Sequence, residues 1–103
     1  MTHPALQLDD TVHQRVRLGI LAVLSEARRA DFAYLRDALD LTDGNLSRHI
    51  AVLEQAGLVT VEKGFEGKRP RTWVEATRAG RRALAAEVNA LRELIALVEP
   101  SAA

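Results

Sequence analysis

At Gly57 the hydrophobic period of this chain changes from 3.6 residues to 2, and that change constrains the fold more than any other feature. Before it, Leu41-Thr-Asp-Gly-Asn-Leu-Ser-Arg-His-Ile-Ala-Val-Leu-Glu-Gln-Ala-Gly57 reads as a short turn and a helix. Leu46, Ile50 and Leu53 recur at i, i+4 and i+7, which makes one apolar stripe. Thr42 is the expected N-cap, its hydroxyl accepting an orphan amide of the first turn, and Asp43 places negative charge where the helix dipole favours it. Gly57 can take φ > 0 and close the helix, so that Leu58 returns to the core. Beyond it, Val59 and Val61 alternate with Thr60 and Glu62, the pattern of a half-buried strand. Thr72 to Ala76 reads as its hairpin partner, with a loop over 64–71 between them.

The helix face opposite the stripe carries Gly44, Asn45, Arg48 and Val52, with Ser47 at its edge and Thr42 at its start. An amide, a hydroxyl and a guanidinium can hydrogen-bond base edges and phosphates. An ordinary solvated face has the same composition, so the flanking segments decide between the two. The loop after the first strand ends in Lys68, Arg69 and Arg71, which is either a solvated hairpin tip or a wing that grips a phosphate backbone. Total charge is balanced, 14 basic against 14 acidic residues, which argues against a generic polycation. The balance hides an asymmetry: residues 44–82 hold eight basic and four acidic side chains, so the positive excess sits with this helix and hairpin.

The rest of the chain frames that centre. Met1 to Leu8 reads as a loosely held lead-in. Asp9 and Asp10 are N-cap candidates for a first helix over about 9–27, with Val12, Val16, Ile20, Val23 and Ala27 inward. Arg28 and Arg29 are expected to complement its C-terminal dipole. Asp31 can cap a second helix with Phe32, Leu35 and Leu39 inward. The link Asp40-Leu41-Thr42 then makes 31–57 a helix-turn-helix. After the hairpin, 58–76, Thr77 should cap a last helix over 77–99 that stops at Pro100. Gly80 in its first turn implies close packing. Leu84, Val88, Leu91, Ile95 and Val98 follow the 4-3-4-3 rhythm of a coiled-coil seam, which predicts a dimer interface; packing on the first helix of the same chain is the alternative. Trp73 is expected to pack on the hairpin rather than stack on bases.

Several classes are disfavoured. At 103 residues the chain suits one domain with a modest core. It has no cysteine, hence no disulfide, thiolate metal site or cysteine nucleophile. No apolar run approaches a membrane span, and no signal-peptide core is evident, so a cytoplasmic location is expected. Abundant Ala and Arg beside two Lys suggest a GC-rich bacterial genome. His3, His13 and His49 are scattered, and no catalytic constellation or cofactor motif is present, so neither an enzyme nor a cofactor is expected. His49 reads as a packing or phosphate-contacting residue; His13 could join it at a zinc ion, but no further ligand has suitable spacing.

The order helix, helix, turn, helix, basic hairpin, long helix resembles a winged helix. Four segments are similar to bacterial and archaeal winged-helix regulators related to the MarR and ArsR groups. They are Leu41-Thr-Asp-Gly-Asn-Leu-Ser-Arg-His-Ile, Leu53-Glu-Gln-Ala-Gly-Leu-Val, Phe65-Glu-Gly-Lys-Arg-Pro-Arg-Thr-Trp and Thr77-Arg-Ala-Gly. The resemblance covers about Leu18 to Leu97. It implies a mainly α fold with a small β-hairpin, a winged helix-turn-helix with a long C-terminal dimerisation helix. It further implies a homodimeric transcription factor with the central helix in the major groove of double-stranded DNA. Asn45, Ser47 and Arg48 match the base-reading face, joined by Thr42 and Gly44; Lys68, Arg69 and Arg71 match the wing's phosphate contacts. The cysteine metal motif of many ArsR-type sensors is absent, as are the extra helices with which larger MarR-type proteins build a ligand pocket, which leaves any small-molecule effector open. The expected function is sequence-specific repression by promoter occlusion. A winged helix that binds protein instead is the alternative, disfavoured by the three wing cations, and an RNA-binding role is disfavoured by the scarcity of exposed aromatics.

Overall fold

A computed structural model describes residues 2–99. A 3-10 turn over Pro4–Gln7 is followed by α1 (Arg15–Glu26), β1 (Ala30–Asp31), α2 (Phe32–Ala38), α3 (Asp43–Gln55), β2 (Val59–Glu66), β3 (Arg69–Ala76) and α4 (Arg78–Val98). Four helices thus surround a small antiparallel sheet of order β1-β3-β2, a winged-helix fold with a long C-terminal helix.

The N-terminal region differs from its sequence reading. Residues 4–7 are not a loose lead-in but a 3-10 turn, started by His3 Nδ1 accepting from Ala5 N–H at 3.1 Å and packed against α4. The first helix begins at Arg15 rather than Asp9. Gln14 Oε1 accepts from the N–H groups of Val16 and Arg17 at 2.9 and 3.0 Å and so supplies the cap. Asp9 stabilises a separate turn, its Oδ1 accepting from Thr11 N–H at 2.8 Å. Val12 is fully buried from that turn, beside Ile20, Leu21 and Leu24 of α1, while Ala27 is an exposed C-cap.

The helix-turn-helix follows its sequence signals closely. Asp31 Oδ1 accepts from Ala33 N–H at 2.9 Å and starts α2. Both α2 and α3 end in a left-handed residue followed by a backbone bond reaching back five positions. After α2, Asp40 has φ 53 and Leu41 N–H donates to Arg36 O at 2.9 Å; after α3, Gly57 has φ 77 and Leu58 N–H donates to Leu53 O at 2.9 Å. Leu46, Ile50 and Leu53 are buried, and they meet α1, α2 and the sheet in one apolar cluster with Leu35, Leu58, Val59 and Val74.

The hairpin is longer than expected. What reads as a loop over 64–71 is mostly strand: Glu66 pairs with Arg69, and only Gly67-Lys68 turn. Gly67 has φ 64 and Lys68 does not share that sign, which matches a type II′ turn and requires glycine at its first position. Pro70 is tolerated within β3 because it lies opposite Phe65, one step beyond the turn-closing pair, so its nitrogen faces away from β2. On that side β1 reaches only Trp73 and Val74. The strand β1 has no sequence signature of its own; two residues are too few for a period.

Thr77 locks α4 to the end of α3. Its hydroxyl accepts from Gly80 N–H at 3.0 Å and donates to Gly57 O at 2.7 Å. A Cβ at Gly80 would lie 2.0 Å from Leu58 O, so the close packing expected of this glycine is a backbone contact. The buried face of α4 carries Gly80, Glu87 and Ala90. The expected stop at Pro100 lies outside the described residues.

Candidate nucleic-acid interface

The outward face of α3 presents Thr42, Gly44, Asn45, Ser47 and Arg48, all exposed. Thr42 Oγ1 is engaged as the cap, accepting from Asn45 N–H at 3.2 Å. Arg48 Nη2 donates to Asn45 Oδ1 at 3.1 Å, so two side chains one turn apart orient each other. At Gly44 an added Cβ would meet nothing within 4 Å; the fold does not require glycine there, and the surface lies open for close approach. The one acid of this helix start is matched: Asp43 Oδ1 accepts from Arg36 Nη1 at 2.9 Å. Hydrogen bonds to Asp37 first and Asp43 second hold the Arg36 guanidinium pKa above its ordinary value.

His49 lies beside this face. Arg17 Nη1 donates to His49 Nδ1 at 3.1 Å, and because a guanidinium cannot accept, the imidazole proton sits on Nε2. Burial first, then the charges of Arg17 and Arg48, lower the His49 pKa. Arg17 is itself fixed by its Nε–H, which donates to Thr11 O at 2.6 Å. His13 is engaged elsewhere, against Glu87. Among the described residues no group of three or more His, Asp or Glu side chains is placed to hold a metal ion.

Strand alternation sorts the wing into two faces. Val61, Lys63 and Phe65 of β2 and Pro70 and Thr72 of β3 share the side turned to α3. Lys63, Thr72 and Val61 line a 340 Å³ groove against Ser47, Ala51 and Glu54. Lys68 and Arg69 are exposed at the tip. Arg71 stands apart from them. It lies on the face turned away from α3, as Arg69 does, but is half-buried there, with Nη1 2.5 Å from Asp31 Oδ2 and Nη2 3.5 Å from Glu66 Oε1, and it ties β3 to β1. Lys63 was not among the expected contacts, although its period-2 parity with Val59 and Val61 turns it toward α3. Arg29 is not placed at the end of α1 to meet a dipole; its guanidinium stacks over Trp73, 4.1 Å from the ring centroid. Trp73 is half-buried on the sheet's outer face, in keeping with a hairpin-packing role.

A second surface lies on α4. Of the expected seam, Leu84 and Leu91 are half-buried, whereas Val88, Ile95 and Val98 are 37%, 48% and 74% exposed. At 3.6 residues per turn the seam is centred roughly 80–90° around the helix from the face carrying Glu87 and Ala90. The helix therefore docks on its own chain with one face and leaves the coiled-coil stripe largely open. No helix of the described residues is long and apolar enough to cross a membrane.

Known proteins share this architecture. A family model described as "Winged helix DNA-binding domain" matches residues 16–95. An uncharacterized protein of Methanocaldococcus jannaschii is 41% identical over 66 residues, spanning 64% of this chain and 72% of the relative. A transcriptional regulator homologue from Pyrococcus horikoshii superposes with a TM-score of 0.88 at 36% identity, covering 97% of this chain and 100% of the other. The M. tuberculosis transcriptional regulator MOSR, solved in complex with DNA, gives a TM-score of 0.71 at 25% identity over 92% of this chain and 68% of its own.

Proposed function

This chain belongs to the winged helix DNA-binding domain family, and from that premise we propose that it is a transcriptional regulator that binds double-stranded DNA by sequence, as a homodimer and as one winged-helix unit. The observation that carries this reading is the α3 surface: Gly44 open to approach, Asn45 and Arg48 mutually oriented and no unpaired acid in its first turn. Placed in a major groove, Arg48 would grip a guanine edge in bidentate fashion while Asn45 and Ser47 contact neighbouring bases. Thr42 and Gly44 let the helix start come close to a phosphate, which the free N–H groups there favour. Lys68 and Arg69 act on the phosphate backbone from the wing. Arg71 belongs to the same basic cluster in sequence, but its ion pair with Asp31 gives it the task of holding the wing's base.

One recognition helix contacts too few base pairs to select a site, so the reading requires two copies. The open stripe of Val88, Ile95 and Val98, which also takes in half-buried Leu84 and Leu91, supports α4 as the dimerisation helix. Occlusion of a promoter by such a dimer makes repression the simplest outcome, in a cytoplasmic setting that suits the cysteine-free composition. No catalytic role is assigned.

Selection of bound duplexes from a random pool at two salt concentrations tests the proposal. The expected product is an inverted repeat with half-site centres about 34–36 Å apart, or a multiple of that. Replacing Lys68 and Arg69 by Ala should lower the slope of log K against log salt by about 0.9 for each phosphate that the pair neutralises. A pool that yields no enriched sequence would overturn the reading and favour a protein-binding winged helix.

A further inference from the structure

Among the described residues the hairpin leaves one large apolar side chain uncovered, and it lies on the side turned to α3. Phe65 is 74% exposed and takes no part in the core cluster. It lies two residues before the turn, directly opposite Pro70. As the neighbour of a turn-closing pair, Phe65 and Pro70 form a close cross-strand pair, with Cβ atoms about 4.5–5.5 Å apart. Phenylalanine and proline side by side make a blunt apolar edge. Lys63 shares its face, and Lys68 and Arg69 follow at the tip. Nothing in the fold needs an apolar group there, and a ring with Lys63 on its face and the cationic tip just beyond it fits an anionic partner that also offers an apolar surface. Stacked bases have that chemistry.

We infer that Phe65, backed by Pro70, is a wedge that the wing sets against a base step in the minor groove flanking the half-site. The inference rests on the DNA-binding reading above. Strands of eight residues extend about 26 Å at ~3.3 Å per residue, and the next minor groove lies about half of a ~34 Å helical repeat from the groove that holds α3. The minor groove is about 6 Å wide, enough for the edge of one ring. An apolar wedge partly unstacks the step it meets and kinks the duplex toward the major groove, most readily at the flexible TA and CA/TG steps. The wing then contributes sequence preference without a base-specific hydrogen bond, while Lys68 and Arg69 contribute affinity without sequence.

The test uses the full chain and a duplex selected as above, with 2-aminopurine replacing single adenines across the flanks of each half-site. The wild-type protein should raise the fluorescence at one flanking step. Phe65→Ala should abolish that rise and lose the preference for a TA over a GC step there, with the salt slope unchanged. Phe65→Leu should keep most of both effects. Circular dichroism on Phe65→Ala reports the fold, which this exposed substitution leaves intact. Wild-type binding without a fluorescence change overturns the wedge, as does a Phe65→Ala variant that loses affinity but keeps the signal, which would mean a sugar or backbone contact. Failure of the wild type to bind any duplex removes the DNA-binding reading itself, and the wedge falls with it.

Discussion

Glu87 Oε2 lies 2.5 Å from His13 Nδ1, and its other oxygen accepts the N–H of Asp9 at 3.1 Å, so a buried carboxylate of α4 anchors the segment that leads into α1. Its side chain has no exposed surface, whereas that of His13 is 45% exposed. Both oxygens find donors, as burial of a charge requires. This contact joins the helix that carries the open stripe to the turn that positions Arg17 and, through it, His49.

Replacing Glu87 by Ala leaves the Asp9 N–H without its acceptor and removes a charge-assisted bond to His13. Stability should fall by about 1.5–3 kcal/mol, the range for a hydrogen bond to a charged group. Glu87→Gln, which keeps an acceptor for Asp9, should lose less. Urea unfolding of both variants decides the point; an unchanged Glu87→Ala midpoint would mean the pairing contributes nothing.

Two glycines, one at the start of α3 and one that packs against the residues just beyond its end, should respond oppositely to alanine. Gly80→Ala should destabilise by about 1–3 kcal/mol despite the better helix propensity of alanine, because the new Cβ would lie 2.0 Å from Leu58 O. Gly44→Ala meets no atom within 4 Å and should stabilise by up to about 0.5–1 kcal/mol. Its DNA affinity should nonetheless drop, since the methyl occupies the space left for a phosphate or base edge. Thermal melts and gel shifts on the same pair of variants separate the two effects.

Arg48→Ala should keep the fold and lose discrimination between operator and scrambled duplex, by about 1–3 kcal/mol for a bidentate guanine contact. Equal selectivity in the variant and the wild type would exclude Arg48 as a reader.

Ile95→Glu should give a helical but largely monomeric protein with poor affinity for an inverted-repeat operator. Ile95 is 48% exposed on the open stripe, so a carboxylate there would be solvated in a monomer and buried without a partner in the proposed dimer. Sedimentation beside circular dichroism checks this. A variant that still sediments as a dimer moves the interface elsewhere.

Acid should destabilise the fold through His49. Its folded pKa lies below the ordinary 6.5 because of burial, Arg17 and Arg48. Below about 6.5 the unfolded chain takes up the proton more readily than the folded one, so stability declines as pH falls from 6.5 through the folded pKa; above 6.5 the group contributes no slope. His49→Gln should flatten this part of the profile, measured as urea midpoints between pH 7.5 and 5. Parallel profiles for the two proteins would count against it.

Sequence alone determined the parts whose signals are local. Thr42, Asp31 and Thr77 announce their helices because a cap bonds an amide two or three residues away, and Gly57 announces an end because few other residues take positive φ at low cost. The stripe Leu46, Ile50 and Leu53 names its buried face because periodicity needs no partner to be visible. The candidate readers on α3 were legible for the same reason, being the complement of that stripe. Tertiary structure decided what depends on residues far apart in the chain. Nothing near Arg71 indicates that Asp31, forty positions earlier, holds its guanidinium, or that Arg29 rests on Trp73. The two-residue strand β1 exists only because β3 offers it an edge. The apolar rhythm of α4 was plain, but which face meets the chain was not. Gly80, Glu87 and Ala90 dock because a backbone contact, a buried carboxylate with two donors and a small side chain fit there. The larger residues lie a quarter turn away: Leu84 still packs on the edge of the core, whereas Val88, Ile95 and Val98 stay exposed.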